Sequence, residues 1–335
     1  MWWRWGFLLA IVCCSCMARG QEEFRVMFYN VENLFDTSDD PHTTDNEFLP
    51  RGEKHWTRGK YVAKLRAIAR VVDSVGQGTL PWVVGLAEVE NRRVLVDLVR
   101  KTGLSAGKYG IVHYDSPDVR GIDVALLYRK DFVEVLEERA LRVDFPEDGR
   151  IRTRDVLYVK GLVKGADTLH FFVCHFPSMV GGERKSEWKR ERVASLVRRQ
   201  VDSILTVHPA AAVMVMGDLN GEADTRAQRV LCPRNGEETF LCGELYNTGY
   251  YLLNKPCGSY CYRGRWQTLD HIIVSGGMLN GKSEVQAVSR MSVYAAPFLL
   301  EQAARGTNAR PKPTYRGPRY IGGTSDHLPV SIAVK

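Results

Sequence analysis

Apolar and polar positions alternate along this chain in short blocks, and the period changes from block to block. Phe24 to Tyr29, Trp82 to Leu86, Asp123 to Tyr128, Val156 to Leu162, Leu169 to Cys174, Ala211 to Met216, His271 to Val274 and Val330 to Val334 are short runs rich in β-branched and aromatic residues. Such runs read as strands. Between them the period lengthens. Val62, Leu65, Ile68 and Val72 recur at helical spacing. A second helix is expected from about Ser186 to Leu205. It would turn Trp188, Val193, Leu196, Val197, Val201 and Ile204 inward and Lys185, Lys189, Arg190, Arg192, Arg198 and Arg199 outward. The alternation runs from residue 24 to the end with no internal repeat, which predicts a layered α/β protein. Residues 36–59 and 300–323 break the rhythm. They are long, polar and rich in Gly, Pro and charge, as loops are that carry function or move.

The chemistry sits where the strands stop. The run from Phe24 ends at Asn30, the run from Trp82 at Glu88, the run from Leu169 at His175, and the run from Ala211 at Asp218-Leu219-Asn220. Gln267-Thr-Leu leads into Asp270, and Gly322-Gly-Thr-Ser into Asp326-His327. Rigid strands aim such groups while loops keep them accessible. Carboxylates with amide oxygens suit a hard cation such as Mg²⁺ or Mn²⁺, and two histidines suit proton transfer and charge stabilisation. Each residue alone has a bland explanation: a turn Asn, a solvated Glu, a hydrogen-bonded core His. Six such strand ends in one chain are not explained as six separate turns.

In this order the motifs resemble those of the endonuclease/exonuclease/phosphatase superfamily, the group of deoxyribonuclease I, the abasic-site exonucleases, the inositol-polyphosphate phosphatases and the neutral sphingomyelinases. The resemblance rests on Tyr29-Asn30-Val31-Glu32, Leu86-Ala-Glu88-Val-Glu-Asn91, Gly217-Asp-Leu-Asn220, Leu269-Asp-His-Ile272 and Ser325-Asp-His327. It implies a four-layer sandwich of two packed mixed β-sheets flanked by helices, spanning residues 21–335. It also implies roles: Glu88 as the principal metal ligand with Asn30 and Asp326 beside it, and Asp218 and Asn220 positioning the attacking water and the phosphate. His327, oriented by Asp270, becomes general base or phosphate contact, and His175 stands near the scissile phosphate. Asp123 is expected to orient His175, and Arg154 and Arg120 to meet the substrate. Cys174 and Phe176-Pro-Ser178 around His175 depart from the better-known branches. That departure blocks any transfer of their substrate preference.

Composition narrows the rest. Hydrophobic residues at 44% and charged residues at 25% belong to a folded globular chain rather than a disordered one. A net charge of +7 suits a polyanionic phosphodiester, with nucleic acid favoured. Trp56, Arg58, Lys60 and Tyr61 in one long loop, and Arg310, Lys312, Tyr315, Arg316, Arg319 and Tyr320 in the other, lean the same way. A phosphatase or a sphingomyelinase-like phosphodiesterase would use the same centre with other loops, and a non-catalytic binding protein would not need intact motifs. Neither a G-x-S-x-G elbow nor a P-loop occurs, so nothing suggests a covalent intermediate. Arg4, the apolar run Gly6 to Cys16 and Ala18-Arg-Gly20 read as a signal peptide over residues 1–20. This predicts a secreted or periplasmic protein, with lipid attachment through Cys13, Cys14 or Cys16 the lesser alternative. In an oxidising compartment Cys232, Cys242, Cys257 and Cys261 are expected to form two bridges of undetermined connectivity, with Cys174 left as a buried thiol. No C-x-x-C pair among these five supports a zinc site. No stable protein partner is expected, and the protein is read as a monomer.

Overall fold

The computed structural model describes residues 23–301 and 309–335. The expected leader over residues 1–20 lies outside the described residues. In chain order the strands are β1 (Phe24–Leu34), β2 (Val83–Val89), β3 (Tyr109–His113), β4 (Asp123–Arg129), β5 (Val133–Leu141), β6 (Val156–Val163), β7 (Thr168–His175), β8 (Ala212–Asp218), β9 (Leu245–Asn247), β10 (Tyr260–Tyr262), β11 (Arg265–Gln267), β12 (Asp270–Ser275), β13 (Ser292–Val293), β14 (Leu300–Glu301), β15 (Arg310–Pro311), β16 (Tyr315–Arg316), β17 (Arg319–Tyr320) and β18 (Val330–Val334). The helices are α1 (Arg58–Gly76), α2 (Arg92–Arg100), α3 (Glu183–Val207), α4 (Arg226–Leu231) and α5 (Gly276–Leu279).

Two six-stranded mixed sheets form, in the orders β13-β18-β1-β2-β4-β3 and β5-β6-β7-β8-β12-β9. Each has one parallel pair, β1 with β2 and β7 with β8. A parallel pair needs a crossover, and α1 and α3 supply it. Side-chain alternation then sorts the layers. Phe24, Val26 and Phe28 of β1 face Leu169, Phe171 and Val173 of β7 and Met214 and Met216 of β8 in the core between the sheets. The opposite parity of β1, Met27 and Tyr29, packs with Leu65, Ile68 and Val72 of α1. Phe172, Val213 and Val215 pack with Val193, Val197 and Val201 of α3. The result is the helix–sheet–sheet–helix sandwich that the resemblance implied.

Three expectations need correction. Trp188 does not enter the core; it stays 40% exposed, edge-on to Phe145. Arg190 does not face solvent. Its place in the inward series Ser186, Arg190, Val193, Val197 and Val201 buries it completely. There it donates to Pro177 O, Glu183 O and Glu187 Oε2 and braces the segment after His175. The two disulfides also do not form: all five described cysteines are free. Cys232 is packed under α3 in the outer core of the second sheet, whereas Cys257 and Cys261 lie in the segment leading into and through the β10–β11 hairpin. Cys174 is the buried thiol expected.

Candidate active site

The two parallel pairs end on the same side of the sandwich, and parity decides what they present there. Asn30 continues the inward series of β1, His175 that of β7 and Asp218 that of β8, while Asp270 begins the inward series of antiparallel β12. Glu88 breaks the rule. By alternation it would follow Val84 and Leu86 outward. Instead β4 pairs Val124 with Ala87 and Asp123 with Val89, so Glu88 is the extra residue of a bulge, at φ 64°. A bulge re-aims one side chain, and here it turns Glu88 into the cleft. A second irregularity follows Asn30, where Glu32 and Asn33 take φ 52° and 54°. The strand expected to stop at Asn30 therefore runs on, bent, to Leu34. The glycine of Gly-Asp-Leu-Asn also has a cause. A Cβ on Gly217 would sit 2.2 Å from the carbonyl oxygen of Cys174 on the neighbouring strand.

The expected residues converge. Asn30 Nδ2 donates to Asp218 Oδ2 at 3.1 Å and approaches Glu88 Oε1 at 3.4 Å. Asn33 N holds Glu88 Oε2 at 3.0 Å. His175 Nε2 lies 3.5 Å from Asp218 Oδ2 and 3.9 Å from Glu88 Oε1. Asp218 Oδ1 accepts from Asn220 N at 2.9 Å, with Asn220 in the left-handed region at φ 47°. His327 stands between two carboxylates, Nδ1 2.7 Å from Asp270 and Nε2 3.8 Å from Asp218. Ser325 Oγ ties the two sides, donating to Asn30 O at 2.7 Å and accepting from His327 N at 3.0 Å.

Two assignments fail. Asp123 does not orient His175. Its carboxylate is taken up by His113 at 3.1 Å and by the backbone N–H and hydroxyl of Ser116, while His175 Nδ1 is buried without a partner. Arg154 is not presented to substrate. It is buried, donating to Asp118 at 3.0 Å and to Phe176 O at 2.7 Å, so it props the segment after His175. Arg120 pairs with the same Asp118 at 3.7 Å but keeps a side chain 47% exposed. The aromatic and basic loop residues are also partly withdrawn. Trp56, Tyr61 and Tyr315 are buried. Arg310 and Arg316 pair with Glu301, and Lys60 caps the Lys54 and His55 carbonyls.

Sequence reasoning missed several residues around the cleft. Tyr260 lays its ring 4.9 Å from that of His327, and Ser259 Oγ accepts from Asp270 N. Lys64, fully enclosed on α1, donates to Glu32 O at 2.8 Å, Thr324 O at 2.6 Å and the Thr314 hydroxyl, joining both walls beneath the cleft. The signal for Lys64 was present: a cation one position before Leu65, on the buried stripe of α1.

The electrostatics are those of charges forced together out of water. Burial works against an imidazolium at His327, but the Asp270 and Asp218 carboxylates outweigh it and hold its pKa well above the usual value. His175 is driven the other way, by burial and then by Arg154, Arg120 and His327, and stays neutral. Burial and the nearby Asp270 raise Asp218 to about 7 against the pull of His327. Burial also raises Asp326, with Glu88 adding to it, and raises Glu32 to about 7.

These residues fit a hard divalent cation. Acids that burial and one another push toward protonation gain from a shared positive charge. Asp218, Asp270 and His327 bring donor atoms within 4.8 Å of one another. Asp270 in that group is engaged with His327, and Glu88 and Asn30, joined to Asp218 through the Asn30 amide, are further residues that could hold an ion.

The sequence matches the family model described as the endonuclease/exonuclease/phosphatase family over residues 25–335. Comparison with curated proteins finds no match. Among solved structures, a Bacteroides thetaiotaomicron endonuclease/exonuclease/phosphatase family protein superposes with TM-score 0.58 at 16% identity, covering 93% of this chain and 95% of the other. The human Nocturnin catalytic domain with bound sulfate superposes with TM-score 0.56 at 15% identity, covering 93% and 94%. A mannosyl-6-phosphatase of Bacteroides thetaiotaomicron VPI-5482 gives TM-score 0.56 at 16% identity, covering 93% and 99%.

Proposed function

The chain belongs to the endonuclease/exonuclease/phosphatase family, and on that footing we propose that it is an exported, monomeric, Mg²⁺- or Mn²⁺-dependent phosphodiesterase acting on nucleic acid. The observation that carries the chemistry is the meeting of Asn30, Glu88, His175, Asp218 and His327, from four strands and a loop, within hydrogen-bonding or ion-pairing reach of one another. A cation held by Glu88 with Asn30 and Asp326 would supply charge stabilisation at the phosphate and the leaving oxygen. Asp218 accepts the proton of the attacking water, since a base near neutrality is matched to that task. Asn220 N–H fixes the Asp218 carboxylate. His327, kept charged by Asp270, contacts a phosphate oxygen, and neutral His175 donates a hydrogen bond on the other side.

Nucleic acid is favoured by the positive excess and by what surrounds His327. The β10–β11 hairpin leaves that histidine at Tyr260 and carries Tyr262, 53% exposed, with Arg263 stacked on it at 5.2 Å. An exposed aromatic with a guanidinium beside it is a stacking surface for a base. The test is a panel of plasmid DNA, RNA, bis-p-nitrophenyl phosphate, a phosphomonoester and sphingomyelin vesicles, each with Mg²⁺, Mn²⁺ or chelator. Metal-dependent cleavage of DNA or RNA is expected. Turnover of the monoester or of sphingomyelin with both nucleic acids intact would replace this substrate with a phosphatase or a phospholipid diesterase.

The role of His327 has its own test. If it works as the imidazolium, activity falls as pH rises through its pKa. Asp270→Asn removes the carboxylate that raises that pKa, so the alkaline limb of kcat/KM should move to lower pH; the acid limb, set by Asp218 at about 7, should move the same way, because Asp270 raises that carboxyl too. A general base would leave the alkaline limb in place, with activity rising through the pKa of His327.

A further inference from the structure

Lys64 is the charged residue among the buried side chains of α1. An ammonium has three N–H donors and no acceptor, and Lys64 spends all three, on Glu32 O at 2.8 Å, on Thr324 O at 2.6 Å and on the Thr314 hydroxyl. The first contact reaches Glu88 through a single peptide unit. The carbonyl of Glu32 and the amide N–H of Asn33 belong to one planar trans group, whose two ends point in opposite directions. Lys64 holds the oxygen, and the N–H holds Glu88 Oε2 at 3.0 Å. Glu32 N in turn donates to Asn30 Oδ1 at 3.0 Å. Glu32 and Asn33 both lie in the left-handed region, at φ 52° and 54°. Such backbone persists only where its surroundings over-determine it, and Lys64 is the pin. The second contact falls one residue before Ser325, which ties Asn30 O to His327 N. Thr314 closes the ring: its N–H donates to Glu32 Oε2 at 2.6 Å while its hydroxyl receives the ammonium. Burying an ammonium is costly, and Glu32, Asp326 and Glu88 are the carboxylates that offset it.

We propose that Lys64 is a positioning residue for the catalytic cation: by gripping the peptide between Glu32 and Asn33 and the carbonyl of Thr324, it aims Glu88 and Asn30 and sets their place against the Ser325–Asp326–His327 turn. The inference rests on the cation seat of the proposed function, and it holds whichever phosphodiester is cleaved. A rival role has the opposite sign. As a charge alone, an ammonium beneath the cleft repels a divalent ion, and removing it tightens metal binding. As a positioning residue it arranges the ligand atoms in advance, and removing it loosens binding although the repulsion has gone. A side chain that only fills space leaves binding unchanged when one of like size replaces it.

Calorimetric titration of Mn²⁺ into the wild type and into the full-length Lys64→Met, Thr314→Val and Ile68→Val proteins reads that sign. Methionine keeps the length of the lysine stem, and valine keeps the shape of threonine. Lys64→Met should weaken Mn²⁺ binding about tenfold or more, the loss expected when a group that orients a metal ligand is removed. Thr314→Val should weaken it in the same direction by less. At saturating Mn²⁺, kcat for bis-p-nitrophenyl phosphate should fall about tenfold or more in Lys64→Met with KM little changed, because displaced groups lose contacts made in the transition state. Ile68→Val is the control. It takes one methyl group from the buried stripe of the same helix and no hydrogen bond, so Tm should fall while Mn²⁺ affinity and kcat stay as in the wild type. Equal or tighter Mn²⁺ binding by Lys64→Met would overturn the proposal, and so would an equal loss of affinity in Ile68→Val. If Lys64→Met fails to fold, Thr314→Val decides on the same terms. A wild type that binds no Mn²⁺ would remove the cation seat, and with it both this inference and the proposed function; variants that keep their affinity beside a wild type that binds would strike this inference alone.

Discussion

The Asp218→Asn protein is expected to lose turnover by about a thousandfold or more and yet to unfold at a higher temperature than the wild type. Two consequences of one burial are at work. Asparagine keeps the shape of the side chain and an oxygen for the Asn220 amide, so the turn after β8 survives. What it loses is the negative charge that accepts the water's proton and faces His175 and His327. The stability effect has the opposite sign. The carboxyl of Asp218 is raised from its ordinary value to about 7 in the folded protein. Below the unfolded pKa the folded state carries no ionisation penalty. As pH rises from there to about 7 the penalty grows, and above it the penalty is complete. Near neutrality removing it is worth on the order of 2 kcal/mol, discounted from about 1.4 kcal/mol per pKa unit because His327 shares the charge. Activity assays and thermal melts from pH 4 to 8 of both proteins check this. A variant that is inactive and also less stable at pH 7 would mean that Asp218 is needed for the fold instead.

Glu88→Gln is the second large effect. Glutamine preserves the reach of the side chain and an oxygen for Asn33 N. It removes the single carboxylate that the β2 bulge turns into the cleft. Turnover should fall by about three orders of magnitude at fixed Mn²⁺, and Mn²⁺ binding measured by calorimetry should weaken by about tenfold to a hundredfold. Much of the activity should return when Mn²⁺ is raised if affinity alone is lost, and little of it if Glu88 also orients the ion. Normal Mn²⁺ affinity with lost activity would move the ion away from Glu88. The left-handed backbone at Glu88 offers an internal control. Glycine tolerates that φ at no steric cost, so Glu88→Gly should match the loss of activity without a matching loss of stability.

Strand ends were legible because they are a one-dimensional pattern: an apolar run that stops at a polar residue. Asn30, Glu88, His175 and Asp218 showed themselves this way, Asp270 and His327 as polar residues just ahead of apolar runs, and together they point to one edge of a two-sheet sandwich. Whatever depends on which neighbour lies across space was not legible. Asp123 begins a strand like the others, yet His113 on the adjacent β3 takes its carboxylate. Arg190 reads as a surface cation among many and turns out to be a buried brace, because one position along α3 changes its face. Trp56 reads as a stacking platform in a polar loop, but Phe35, Phe48 and Tyr315 close over it from three segments. β5 escapes the pattern altogether: Glu134, Glu137, Glu138 and Arg139 interrupt its apolar residues because most of that edge strand is exposed. Lys64 marks the limit most clearly. Its three acceptors come from residues 32, 314 and 324, distances along the chain that no local pattern can encode.

The decisive measurement is hydrolysis of bis-p-nitrophenyl phosphate by the protein dialysed against chelator, before and after Mn²⁺ is restored, with the Glu88→Gln protein alongside. Turnover should be absent without the metal, return in the wild type when Mn²⁺ is added, and fail to return in the variant at the same concentration. Undiminished hydrolysis in chelator, or full recovery by Glu88→Gln, would show that these converging side chains do not form a cation-dependent phosphoesterase centre.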